Sequence, residues 1–232
     1  MRFFSFDVFD TLLTRLVLKP KDVFYLLPQR LAESGNGLPV KLRDHFWAER
    51  VWAEFLAARK EGTDALTLET IYAYLGERWE LSTATRGRLV EAEIRLEDEL
   101  LVPVRGGRAM VAKARQRGRV VFLSDMYLPE SFIASKLERL GIRKAGEKVF
   151  VSGCWGVTKR SGALYRQALA ELAIPPDALT HVGDHPRDDA RTPARLGIRV
   201  AETSGGRTGS GWQRKLAYAG ELLLALRGLA RD

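Results

Sequence analysis

A chain of 232 residues, 46% apolar and 28% charged, holds one large globular domain or a core carrying an insertion, and this composition excludes a disordered or fibrous protein. Its single cysteine, Cys154, excludes an internal disulfide framework and a Cys/His zinc cluster, and no apolar stretch reaches the roughly 18 residues of a bilayer span, so a cytoplasmic protein without a signal peptide is expected. The formal net charge of +8 reads as a solubilising surface: no basic run with interleaved aromatics, RNA-recognition signature or zinc-finger spacing accompanies it, so phosphate rather than nucleic acid is the anionic partner to expect.

The first element is the apolar run Phe3 to Phe6, which stops on Asp7 and is followed by Asp10 and Thr11. Such a run predicts a buried parallel strand, and ligands of open α/β sheets collect just beyond the carboxyl ends of such strands. Helical spacing follows from about residue 20 to 100, carried by Val23, Leu27 and Leu31, then Phe46, Val51, Trp52 and Phe55, then Ile71 and Leu75, then Leu89, Leu96 and Leu100; it predicts three or four helices and no strand. From residue 104 strands and helices alternate. A helix over 107–116 precedes a strand over 119–123, and a helix over 129–140 ends at Gly141. A strand over 149–152 precedes a helix with Ser161 as its N-cap. Strands over 179–182 and 198–201 complete a doubly wound parallel sheet with the helical block inserted after its first strand. The Gly/Ser-rich stretch 203–211 reads as a linker to a last helix, which packs on the core or docks a partner protein or second copy. The division is therefore a core of 1–14 and 103–203, a helical cap of 15–102, and a linker and C-terminal helix of 204–232.

Several strand ends finish on polar groups: Asp7 after the first, Ser124 and Asp125 after the second, Asp184 after the fourth with Asp188 and Asp189 beyond, while Lys159 precedes a helix. Each alone reads as a turn residue, a cap or a solvated charge. In a parallel sheet their positions converge at one edge. Phosphoryl transfer through an aspartyl-phosphate needs such a set: a carboxylate nucleophile, a cation beside it, hydroxyl and N–H donors for the phosphate oxygens, and Mg²⁺ on oxygen ligands. In that chemistry Lys159 holds nucleophile and phosphate as a point charge and Ser124 bonds the phosphate oxygens.

In "FDVFDTLL", "FLSDMYL", "VTKRSGALYRQAL" and "HVGDHPRDDARTPARLGI" the chain resembles the haloacid dehalogenase-like hydrolase superfamily, in motif order and spacing, over nearly its whole length. The resemblance implies a Rossmann-like α/β core with a helical cap, Asp7 as nucleophile, Thr11 supporting its loop, and Mg²⁺ held by Asp7, the carbonyl of Phe9 and Asp184. Asp189 or Asp188 fits the outer acidic position. The superfamily's phosphatases usually carry a second aspartate, the general acid and base, where this chain has Phe9; such catalysis contributes about 10²- to 10⁴-fold. Asp10, one residue further, either substitutes for it or bonds backbone N–H groups in the turn. The forms "SFDVFDTLLTR" and "SDMYL" resemble a subgroup associated with bacterial surface-polysaccharide synthesis. The expected function is therefore a Mg²⁺-dependent phosphatase for a sugar phosphate or phosphorylated glycan, with Arg43, Trp47, Arg50 and Trp52 as guesses for cap residues that face the substrate. Two alternatives stand beside it: a catalytically weakened member that binds a phosphorylated ligand or partner, and a metal-independent 2-haloacid dehalogenase, which also lacks the acid.

Overall fold

A computed structural model describes residues 1–33, 35 and 37–201. The linker and helix expected over 204–232, with any partner docked there, lie outside these residues. In chain order the elements are β1 (Phe3–Asp7), β2 (Leu13–Arg15), α1 (Val23–Glu33), α2 (Val40–Glu61), α3 (Leu68–Arg78), α4 (Thr83–Leu100), β3 (Leu101–Pro103), α5 (Gly107–Arg115), β4 (Arg119–Ser124), α6 (Glu130–Arg139), β5 (Val149–Val151), α7 (Ser152–Trp155), α8 (Ala163–Leu172), β6 (Leu179–Val182), α9 (Thr192–Arg195) and β7 (Arg199–Ala201).

Five strands form one parallel sheet in the order β5-β4-β1-β6-β7. The chain builds outward from β1 on one side and then returns to its other side, so β1 sits at the switch point where a crevice opens in doubly wound sheets. All five residues of β1 are buried, as a central strand covered on both faces requires. Its side chains alternate: Phe4 and Phe6 join the large core shared with the helices α1–α4, whereas Phe3 packs with Leu164, Leu169 and Leu179 under α8. Among the described residues no helix is long and apolar enough to cross a membrane.

The helical spacing between residues 20 and 100 resolves into α1–α4. Thr67 and Ser82 cap α3 and α4, each hydroxyl accepting the backbone N–H three residues on. Three features differ from the sequence expectation. Entry to and exit from the helical block pair as an antiparallel ribbon of β2 with β3, too short to leave a periodic signal. β5 ends at Val151, and Ser152 opens the short helix α7. The N-cap of α8 is Gly162 rather than Ser161, because this position takes φ +77°, where a serine would be strained; the Ser161 hydroxyl still accepts the N–H of Ala163.

The helical block is held by a buried polar knot. Arg50 of α2 forks onto Glu93 of α4 at 3.0 Å through both Nε and Nη2, and the Tyr72 hydroxyl of α3 donates to the same carboxylate at 2.5 Å. The rings of Phe24, Tyr72 and Tyr127 surround the guanidinium. Arg50, a guess for substrate contact, is thus fully buried and consumed within the fold, while exposed Arg43 pairs with Asp44.

Candidate active site

The carboxyl ends of β1, β4 and β6 bring the predicted polar residues to one edge. Asp7 closes β1 in register with Leu123, so Ser124 stands one step beyond on the neighbouring strand. Lys159 reaches the same place from the loop before α8: its Nζ donates to Asp7 Oδ1 at 2.5 Å and to Asp189 Oδ1 at 2.7 Å. Its own backbone is pinned by Asp125, whose carboxylate accepts the Lys159 N–H at 2.7 and 3.0 Å. Thr11 donates its hydroxyl to Asp184 Oδ1 at 3.2 Å, tying the first loop to the last.

Asp7, Asp184 and Asp189 each offer an oxygen within 4.8 Å of the others. An all-oxygen donor set of this charge fits Mg²⁺, and Lys159 supplies one positive charge to three carboxylates. Among the described residues the buried Ser124 hydroxyl has no hydrogen-bond partner, an arrangement that suits a ligand oxygen. Asp188 lies outside the three-carboxylate group; its buried Oδ1 has no hydrogen bond among the described residues, while Oδ2 is 3.6 Å from Arg160. Asp10 takes φ +60° and turns its carboxylate to the Thr14 hydroxyl at 3.0 Å. Phe9 stacks its ring under the Arg15 guanidinium, 4.7 Å away, and Arg15 is itself forked onto buried Glu97.

Burial dominates the electrostatics of Asp7 and pushes its carboxyl up to about 7; Lys159 opposes that shift and Asp189 adds to it. Burial works against the Lys159 ammonium, but Asp7 and Asp189 outweigh it and hold the lysine well above its ordinary range. Asp189 is also opposed by burial, yet the His181 hydrogen bond and Lys159 keep it well below the usual carboxylate range.

The sequence reading missed two residues that hold this arrangement. His181, fully buried on β6, bonds Asp189 Oδ1 at 3.1 Å through Nε2 and the Ser5 hydroxyl of β1 at 2.8 Å through Nδ1. Because a carboxylate only accepts, Nε2 carries the proton and Nδ1 accepts from Ser5. Gly183 is the other: a Cβ there would overlap the Asp189 carboxylate, whose Oδ2 accepts the His185 N–H at 3.0 Å. The histidine before "VGD" was visible in the sequence, but nothing in it paired that residue with Ser5.

Burial pulls His181 below its ordinary value of 6.5, which fixes the sign of a pH effect. The unfolded histidine takes its proton first, so the stability due to the neutral ring is complete above 6.5 and is lost as pH falls toward the folded value, by up to about 1.4 kcal/mol per pH unit. Asp7, raised above 3.8, acts in the opposite sense. The expected result is that His181→Gln, melted in urea at pH 7.5 and 5.5, loses less stability on acidification than the wild type.

No protein-family model matches the chain. A segment of 92 residues is 32% identical to a phosphoserine phosphatase of Thermus thermophilus, covering 40% of this chain and 36% of that protein; the match spans about a third of the curated relative's length. Among solved structures, a 2-haloacid dehalogenase from Pseudomonas syringae superposes with TM-score 0.65 at 17% identity over 97% of this chain and 98% of the other. A HAD phosphatase from Thermococcus onnurineus gives 0.55 at 15% identity over 96% and 98%. The magnesium-bound YfnB of Bacillus subtilis gives 0.55 at 16% identity over 89% and 90%.

Proposed function

The chain has the fold of the haloacid dehalogenase-like hydrolases, and from that premise we propose that it is a Mg²⁺-dependent phosphatase that hydrolyses a phosphomonoester through an aspartyl-phosphate on Asp7. The observation that carries this reading is the gathering of Asp7, Asp184 and Asp189 oxygens within 4.8 Å of one another, with Lys159 paired to Asp7 and Asp189. That excess of negative charge is what a divalent cation neutralises.

Asp7, Asp184 and Asp189 would hold Mg²⁺, with the Phe9 carbonyl as the ligand implied by the resemblance; when bound, the ion offsets charge on the phosphate and keeps Asp7 ionised. Asp7 attacks phosphorus as the ester P–O bond breaks, and the departing alkoxide takes its proton from water because Phe9 offers none. A second water attacks phosphorus of the acyl-phosphate to release phosphate and restore the Asp7 carboxylate. Lys159 fixes the Asp7 carboxylate and pairs with a phosphate oxygen, and Ser124 donates its unpartnered hydroxyl to another. Asp125 positions Lys159 through its backbone, and Thr11 steadies Asp184. Asp10 holds the turn through Thr14 rather than moving a proton. Sugar phosphates and phosphorylated glycans are the substrate class we favour, on the polysaccharide-associated resemblance.

The competing dehalogenase reading is favoured by Phe9, which packs against Arg15 where the phosphatases carry an acid. One assay separates the two. Phosphate release from a phosphosugar panel that requires Mg²⁺ and stops with EDTA is the expected result. Chloride release from 2-chloropropionate in EDTA, with no phosphate release from any member, contradicts it. If neither product forms and Phe9→Asp creates phosphatase activity, the natural protein is a binder.

A further inference from the structure

Beside the carboxylate cluster lies a cleft of about 810 Å³ that the chemistry above does not use. One wall is α2, with Trp47, Val51, Trp52 and Phe55; the other is formed by Met126, Tyr127 and the Thr158–Arg160 loop. Asp125 and Asp188 also line it, and Asp125 is the residue that pins the Lys159 backbone, so the cleft borders the site. Its volume falls in the range of small-molecule sites.

Its lining is unusual for a solvent-facing surface. Trp52 and Phe55 are 48% and 53% exposed, and their rings meet at 33° with centroids 5.3 Å apart. Contiguous exposed aromatics of this kind mark contact surfaces. Of the charged groups that line the cleft, Lys21 pairs with Glu54 at 3.4 Å and Arg160 with Asp188 at 3.6 Å, and Asp64 adds an acidic group. The α2 wall offers ring faces.

Resting on the phosphatase reading, we propose that the leaving group of the substrate carries a flat ring face that lies on Trp52 and Phe55 while its phosphate reaches Asp7. Aromatic rings and the C–H face of a pyranose share this chemistry. Trp52 and Phe55 are thereby specificity residues, and acyclic phosphomonoesters are weak substrates.

The test titrates the intact protein, with Mg²⁺, against three non-hydrolysable phosphonates by calorimetry: 3-hydroxypropylphosphonate, 2-naphthylmethylphosphonate and the methylene phosphonate analogue of glucose 6-phosphate. At least one ring compound should bind about tenfold or more tighter than the acyclic one, as aromatic contacts of this size imply, and whichever does so identifies the ring type. In Trp52→Ala/Phe55→Ala, whose side chains are about half exposed and whose folding is checked by a urea melt, the preference should fall below about threefold. Equal affinity for all three in the wild type, or a preference unchanged in the variant, overturns the proposal. The two readings fail separately. Ring preference without hydrolysis of any phosphomonoester removes the phosphatase and keeps the cleft assignment; hydrolysis without ring preference does the reverse.

Discussion

Asp7→Asn abolishes turnover, by about 10⁴-fold or more, because an amide cannot form the acyl-phosphate on which both half-reactions depend. The substitution is isosteric at a buried strand end and leaves Lys159 its Asp189 partner, and a urea melt of the variant separates lost stability from lost chemistry. Beryllium fluoride, which mimics the phosphoryl group on a carboxylate, should trap the wild type and fail to trap the variant. Asp10→Asn supplies the contrast. Asn tolerates the left-handed φ of +60° and its amide oxygen still accepts the Thr14 hydroxyl, so turnover should fall by less than about tenfold with trapping intact. The assignment is wrong by one turn of the loop if Asp7→Asn turns over normally while Asp10→Asn is inactive and untrappable.

Lys159→Met has the second large effect, and stability reports it first. The ammonium lies between Asp7 and Asp189 with 5% of its side chain exposed, and removing one partner of a buried ion pair leaves charge without compensation, at a cost of about 3–5 kcal/mol. Lys159 also holds the Asp7 carboxyl down against burial. Without it Asp7 protonates at higher pH, and the sign follows: a carboxyl raised in the folded state gains stability as pH falls. The deficit of Lys159→Met relative to wild type should therefore be larger at pH 8 than at pH 5.5 in urea melts. A deficit below about 1 kcal/mol at both values would mean that Lys159 is a solvated surface charge.

The parts of this site legible in the sequence are those set by strand ends. Strands that run out into Asp7, Ser124 and Asp184 mark where a parallel sheet presents groups to a ligand, and β1, β4 and β6 occupy the expected positions. What stayed hidden depends on pairing across the fold. Ser5 and His181 are 176 residues apart, and no local pattern links them. The three-residue strands β2 and β3 are shorter than any periodicity can reveal. On α2 the pattern misleads: Leu42, Phe46, Arg50, Ala53 and Ala57 are buried, so an arginine occupies the core stripe, while Trp52 and Phe55 face outward. Helical spacing identifies stripes, and only packing against Glu93 and Tyr72 decides which of them faces inward.

The most direct measurement is acid-quench of the protein during turnover of a ³²P-labelled substrate, followed by borohydride reduction and peptide mapping. Burst labelling of the chain, with conversion of Asp7 to homoserine and loss of the label in Asp7→Asn, is the predicted result. Steady phosphate release with no labelled protein, or label carried on a residue other than Asp7, would contradict the assignment of Asp7 as the nucleophile.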